Sequence, residues 1–135
     1  MLPKIYSRSI IIYVCDAANF EASIVPEVFE KIEKEHHRVI IVANKIDALP
    51  KGFKLETLQL WVKRQISKHV SDISKLEQFN ICLTSARLYT GVQKILTILE
   101  KTRNKVRHFH HIPKVYVMGT TNSGKSTLIN AMLKT

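Results

Sequence analysis

One octapeptide carries the most specific chemistry in the sequence. Gly119-Thr-Thr-Asn-Ser-Gly124-Lys125-Ser126 fits G-x-x-x-x-G-K-[ST], a pattern whose glycines let the backbone turn sharply enough for successive N–H groups to converge on phosphate oxygens. In that setting Lys125 reaches the outer phosphates and the Ser126 hydroxyl can ligate Mg²⁺. The helix that follows contributes the positive end of its dipole. Gly119, Thr120, Thr121, Asn122, Ser123, Gly124, Lys125, Ser126 and Thr127 are therefore expected to hold phosphate, with Lys125 and Ser126 as the principal contacts.

Two shorter motifs are weaker alone and stronger together. In Asn44-Lys45-Ile46-Asp47, a carboxylate can accept both the ring N1–H and the exocyclic amino hydrogens of guanine, a pair adenine does not offer. A site of that kind rejects the wrong base because mismatched polar groups stay unpaired. Asn44 and Asp47 are expected to read the base, with Lys45 packed along the nucleotide. In Thr84-Ser85-Ala86-Arg87, small side chains allow backbone N–H groups to approach a guanine carbonyl oxygen. This adds Ser85, Ala86 and Arg87 to the nucleotide-binding set. Taken singly, Asp47 and Ser85 have a second reading as ordinary caps of a turn or helix, which weakens when the motifs are taken together.

Positioning these residues requires strands that end beside one another. β-branched runs at Ser9–Cys15, Val39–Ala43, Asn80–Thr84 and Lys114–Met118 show no polar–apolar alternation, which predicts parallel strands covered on both faces. Between them, apolar residues recur at helical spacing. These are Val25, Val28, Phe29 and Ile32; then Leu58, Trp61, Val62 and Ile66; then Val92, Ile95, Leu96 and Leu99. A last helix opens near Gly124 and carries Leu128, Ile129 and Met132. The order βαβαβαβα predicts an α/β fold, a doubly wound and mostly parallel sheet of about four strands. Each of the three motifs then stands at a strand's carboxyl end, where ligands bind in such sheets.

Composition limits the alternatives. The chain has 135 residues, 45% of them hydrophobic, enough for one core and too apolar for disorder. Its longest apolar run, Ile10 to Cys15, is too short to cross a bilayer, and no signal-peptide pattern opens the sequence. Two cysteines, Cys15 and Cys82, exclude a disulfide framework or a zinc site and fit a reducing compartment. With 21 Lys+Arg against 11 Asp+Glu, the net charge of +10 favours a polyanionic partner, nucleic acid ahead of an acidic membrane. The basic stretch Lys101–His111 reads either as a solvated helix end or as an RNA-contacting stripe. His36-His37 and His110-His111 have no carboxylate or cysteine partner at useful spacing and are expected to be exposed linker residues.

The three motifs resemble the guanine-nucleotide motifs of the GTPase superfamily, in an order that places the phosphate loop last rather than first. The sequence thus resembles a circularly permuted GTPase, and among these the YqeH-like family that includes the mitochondrial nitric-oxide-associated GTPases. The resemblance is carried by Val14-Cys-Asp16 with Phe20-Glu-Ala-Ser23 and Pro26, by Val42 to Lys51, by Trp61-Val62, and most specifically by Val115 to Asn130. It implies a partial, circularly permuted G domain over 1–135. A base-reading half would span 1–105, a linker 106–113, and the phosphate-loop strand and helix 114–135, with the fourth strand at the open edge of the sheet.

The resemblance also implies the function: binding of GTP and GDP with Mg²⁺, GTP hydrolysis, and a role in assembly of the ribosomal small subunit through rRNA. A mitochondrial matrix is implied ahead of a plastid or bacterial cytoplasm. Lys125 and Asn122 are the implied catalytic residues, Asn122 as a ligand of K⁺ in the manner of similar GTPases. No D-x-x-G follows the phosphate loop before Thr135, so the chain is expected to be a fragment that binds nucleotide without hydrolysing it competently. Asn19 stands where the family often has an acid, and Asp16 reads as a turn cap ahead of a site residue. A nucleotide-binding module without turnover and an ATP-dependent P-loop enzyme are the other readings.

Overall fold

Seven consecutive residues, Ile10–Asp16, form a strand (β1) whose first six side chains are buried, because it has a strand on each side and helices over both faces. Residues 9–34, 37–70, 79–106, 114–120 and 122–135 are described by the computed structural model of the chain. After β1 come a 3-10 turn at Ala17–Asn19, a single helical turn α1 at Phe20–Ser23, and α2 at Pro26–Lys34. Strand β2 (Arg38–Asn44) leads through a 3-10 turn at Ile46–Ala48 into α3 (Leu55–Ser67). Strand β3 (Phe79–Leu83), α4 (Val92–Val106), β4 (Val115–Gly119) and α5 (Lys125–Leu133) complete the order. The sheet runs β3-β2-β1-β4 and every pairing is parallel. The fold is the α/β arrangement that the alternating pattern predicts.

The two faces hold separate cores. Ile11, Tyr13, Cys15 and Ile41 pack under Phe20, Phe29, Ile32, Leu58, Val62 and Ile66 from α1, α2 and α3. Ile10, Ile12, Val14, Ile40, Val42 and Cys82 pack under Val92, Ile95, Leu128 and Ala131 from α4 and α5. Successive strand residues serve opposite faces, so an unbroken apolar run is what a strand between two helical layers requires. Each fully buried isoleucine contributes about 1.5–3 kcal/mol. Tyr13 and Phe29 meet edge to face with ring centres 5.0 Å apart. The Tyr13 hydroxyl donates to the Ser23 carbonyl and accepts from Val25 N–H, and burial pushes its pKa up to about 12.

Several expectations shift by a residue at their ends, and a few are corrected. Only β1 and β2 are buried along six of their seven residues, with Asp16 and Arg38 partly exposed at the ends. Edge strands β3 and β4 keep one side open, and Asn80 and Val115 are exposed. Pro26 occupies the first turn of α2, where its missing N–H costs nothing. Trp61, expected on the buried face of α3, is 37% exposed and touches the ring of Phe20 by an edge. Leu96 of α4 is half-buried. His37 is not an exposed linker residue: it is fully buried, its Nδ1 accepting the Ser9 N–H at 3.2 Å where the chain enters β2. Lys101 and Arg103 lie exposed on the last turns of α4. His36, His110, His111, Glu35 and Thr121 lie outside the described residues. Among the described residues no helix is long and apolar enough to cross a membrane, and no group of three His, Cys, Asp or Glu side chains could hold a metal.

Candidate functional site

Register brings the motif-bearing loops to one edge. Asp16 stands level with Asn44 and Val14 with Gly119. Ala43 stands level with Leu83, so the N-K-x-D loop, the Thr84–Ala86 loop and the phosphate loop leave the same end of the sheet, with the end of β1 at Asp16 between the first and the last.

Asn44 fastens these loops together. Its side chain is buried, with Oδ1 accepting from the Thr84 hydroxyl at 2.9 Å and from Ala86 N–H at 3.0 Å, while Nδ2 donates to the Ser123 carbonyl at 3.1 Å. Ile46 N–H adds a bond to the Thr84 carbonyl at 3.1 Å. The carboxamide is thus spent on the protein at its oxygen and on one of its two amide hydrogens. Its work in the free chain is to set the spacing of the loops.

Asp47 sits on the turn Ile46–Ala48, held by what surrounds it. Ser85 Oγ donates to its Oδ1 at 2.7 Å, and Arg87 Nε donates to Oδ2 at 3.2 Å. The Asp47 pKa lies below its ordinary value, chiefly because the Ser85 hydroxyl donates to it, with Arg87 adding to the effect and desolvation opposing it. The loop bearing Ser85 and Arg87 is itself stiff. Ser85 and Thr90 exchange both backbone bonds at 3.0 Å, and Leu88 N–H donates to Ser85 Oγ at 3.3 Å. Gly91 closes it with φ +77, and a Cβ there would stand 2.3 Å from the Leu83 carbonyl oxygen, so only glycine fits.

The phosphate loop is shaped from within. A Cβ on Gly119 would meet the Val14 carbonyl at 2.7 Å and Ser123 Oγ at 2.9 Å. Ser123 is fully buried, its hydroxyl donating to the Thr120 carbonyl at 2.7 Å. Gly124, with φ +84, leads into α5, and a Cβ there would press on Asn44 Nδ2 at 2.6 Å. Lys125 is half-buried, while Ser126 and Thr127 are exposed on the first turn, beside the orphan N–H groups of the helix. Lys45, itself left-handed with φ 66, lays its ammonium on the Asn122 carbonyl and 3.7 Å from Asp16 Oδ2. Asp16 caps its turn as the sequence suggests, accepting from Ala18 N–H at 2.9 Å. Its link to Lys45 is additional.

A cavity of about 410 Å³ opens between the loops, lined by Asn44, Lys45, Asp47, Ala48, Ala86, Arg87, Gly124 and Thr127, within the size range of small-molecule sites. A smaller one of about 200 Å³ is lined by Asp16, Asn19, Ala22, Ser23, Thr120 and Asn122. Most of the sequence-derived site residues therefore gather at one edge. Ser85 lies beneath Asp47 rather than in the cavity wall. Sequence reasoning gave no role to Thr84 or Gly91. The first announces itself only as the residue before Ser85-Ala86, the second only as a glycine at a helix start.

A parallel sheet that carries N-K-x-D on its second strand and the phosphate loop on its last is a G domain in circularly permuted order. No family model matches the chain. "Uncharacterized protein YqeH" of Bacillus subtilis (strain 168) is 35% identical over 96 residues, covering 71% of this chain and 23% of that protein. "NO-associated protein 1, chloroplastic/mitochondrial" of Arabidopsis thaliana is 31% identical over 130 residues, 96% of this chain and 21% of its own length. YjeQ from Thermotoga maritima shares the fold with a TM-score of 0.56 at 19% identity, over 94% of this chain and 38% of that one. The chain belongs to the YqeH-like circularly permuted GTPases, and it spans less than a quarter of the length of these two relatives.

Proposed function

We propose that the chain is the guanine-nucleotide-binding part of a circularly permuted GTPase acting in assembly of the ribosomal small subunit. The observation that carries the reading is the Asn44 side chain, bonded at once to the Ser85–Ala86 loop and to the phosphate loop, with the Asp47 carboxylate and Gly124 on one cavity. This spacing lets one ligand present a base edge to Asp47 and phosphates to the start of α5. Asp47 would accept from N1–H and the exocyclic amino group. The backbone N–H of Ala86 is engaged by Asn44, so it acts on the base through loop placement. Lys125 would neutralise the outer phosphates, and the N–H groups of α5 would cradle them.

Mg²⁺ would be held by the exposed Ser126 hydroxyl. One protein oxygen suits an ion that takes most of its ligands from phosphate and water, and its chemistry there is charge neutralisation at the phosphates. Asn122 offers K⁺ one amide oxygen, and the Lys45 ammonium already rests on the same residue's carbonyl. A potassium ion there would share the loop with that ammonium and would add positive charge beside the phosphates. The net charge of +10 supports an rRNA partner, and the organellar name of the Arabidopsis relative supports a mitochondrial or plastid setting.

Calorimetry of this chain with GDP and with ADP, in K⁺ and in Na⁺ buffers, tests the reading. Preference for GDP is the expected result. Equal affinities would instead indicate a general P-loop protein, and absence of binding would remove the site. Co-sedimentation with small ribosomal subunits, compared between GDP and a non-hydrolysable GTP analogue, tests the partner.

A further inference from the structure

The base-reading carboxylate is already occupied by the protein. Ser85 holds Oδ1 of Asp47, and the guanidinium of Arg87 holds Oδ2 through Nε at 3.2 Å and Nη2 at 3.2 Å. Chemically, that guanidinium is the same unit that guanine would offer. The edge of guanine that a carboxylate reads is a ring N–H and an amino group on a shared carbon, and Nε–H and Nη–H on the guanidinium carbon present the same donors in one plane. Arg87 also lines the cavity that the base would enter.

Resting on the nucleotide reading above, we propose that Arg87 is an internal stand-in for guanine, paired with Asp47 in the free chain and displaced from it when a guanine nucleotide binds. The backbone needs no movement for this exchange. The loop is closed by the Ser85–Thr90 pairing, and the Arg87 side chain is 74% exposed, against 19% for Asp47, so it can swing into solvent as the base arrives. The contact also keeps the Asp47 carboxylate aimed while no ligand is present. An exposed ion pair is a weak competitor, so the device adjusts affinity without abolishing it. Its removal is worth about two- to fivefold.

The competition exists only before binding, and this gives it a kinetic signature. Stopped-flow measurement with fluorescently labelled GDP on this chain, comparing Arg87→Lys and Arg87→Ala, separates it from the alternatives. Arg87→Lys keeps the charge that attracts the phosphates and loses the planar fork. Its association rate is expected to rise about two- to fivefold with the dissociation rate unchanged, and Arg87→Ala is expected to leave the dissociation rate unchanged as well. A faster dissociation in either variant would show that Arg87 holds the bound nucleotide, and would overturn the proposal. Unchanged rates in Arg87→Lys would overturn it too. In an Asp47→Asn background, probed with labelled xanthosine diphosphate, the gain should vanish, and its persistence would be a further refutation. Loss of GDP binding in every form, the unsubstituted chain included, would instead refute the nucleotide reading and this inference with it.

Discussion

Asn44 Nδ2 and the Ser123 carbonyl meet at 3.1 Å across 79 positions of sequence, joining the N-K-x-D motif to the phosphate loop. Replacing Asn44 with Ala would strand this carbonyl, the Thr84 hydroxyl and the Ala86 N–H in surroundings that are buried in the folded chain. Unsatisfied buried groups cost about 1–3 kcal/mol each, partly relieved by water. Urea unfolding of Asn44→Ala is expected to show a loss of about 2–4 kcal/mol, with Thr84→Val losing less because it removes one bond and keeps the volume. Equal stability in Asn44→Ala would mean that the three loops hold their spacing without it.

Much of this was readable because a parallel sheet leaves strong marks. The runs Ile10–Cys15 and Val39–Ala43 read as parallel strands covered on both faces, and the phosphate loop implies a strand before it and a helix after it. The fine geometry was not readable. Asn44 reads as a base contact from its motif, while its partners Thr84 and Ser123 lie 40 and 79 positions away, distances at which one sequence carries no pairing signal. The turns at Ala17–Asn19 and Ile46–Ala48 are too short for any periodicity. Burial of His37 depends on a bond from Ser9 across 28 positions, and the half-open faces of β3 and β4 follow from strand order, which spacing alone does not state.

Asp47 should decide the base. Asp47→Asn replaces an acceptor of two donors with a group that is half donor, which suits the second carbonyl of xanthine. Affinity for GDP is expected to fall roughly tenfold or more while xanthosine diphosphate gains. Calorimetry with both nucleotides checks this, and an unchanged preference would remove Asp47 from the site.

Acidity bears on the same residue. Its folded-state pKa is lowered from the ordinary 3.8, mainly by the Ser85 hydroxyl. The stabilising contacts to the carboxylate are therefore complete above 3.8 and are lost only as pH falls through the still lower folded value. GDP affinity, read by fluorescence titration in a buffer series, is expected to show no loss from Asp47 protonation between neutral pH and about 5. Ser85→Ala removes the main cause and should raise the Asp47 pKa, seen as a shift in its carboxyl NMR titration.

Two glycines with positive φ should respond differently to alanine. Gly52 (φ +87) has open space around it, and Gly52→Ala carries only the left-handed backbone strain of about 1–2 kcal/mol. Gly91→Ala adds a collision with the Leu83 carbonyl at 2.3 Å, and backbone at the end of β3 cannot yield without moving Thr84. A loss of about 2–5 kcal/mol is expected, together with weaker GDP binding, because the displaced loop carries Ser85 and Ala86. Similar unfolding midpoints for the two variants would contradict this.

Lys125 separates phosphate recognition from base recognition. It opens α5 one residue after Gly124, and the cavity beside Asp47 reaches that helix through Gly124 and Thr127 without touching Lys125 itself. Removing the ammonium should therefore cost the part of the binding energy that depends on phosphate and spare the part that depends on guanine. Lys125→Ala is expected to lower GDP affinity by at least roughly tenfold, the scale of losing a charge-assisted contact, while displacement by guanosine, which has no phosphate, stays within about twofold of the unsubstituted chain. Circular dichroism should be unchanged, since the residue is only half-buried. Retained GDP affinity would remove the phosphate-loop assignment. A parallel loss for guanosine would mean instead that the substitution deforms the loop through Gly124, whose φ of +84 and close approach to Asn44 leave little slack.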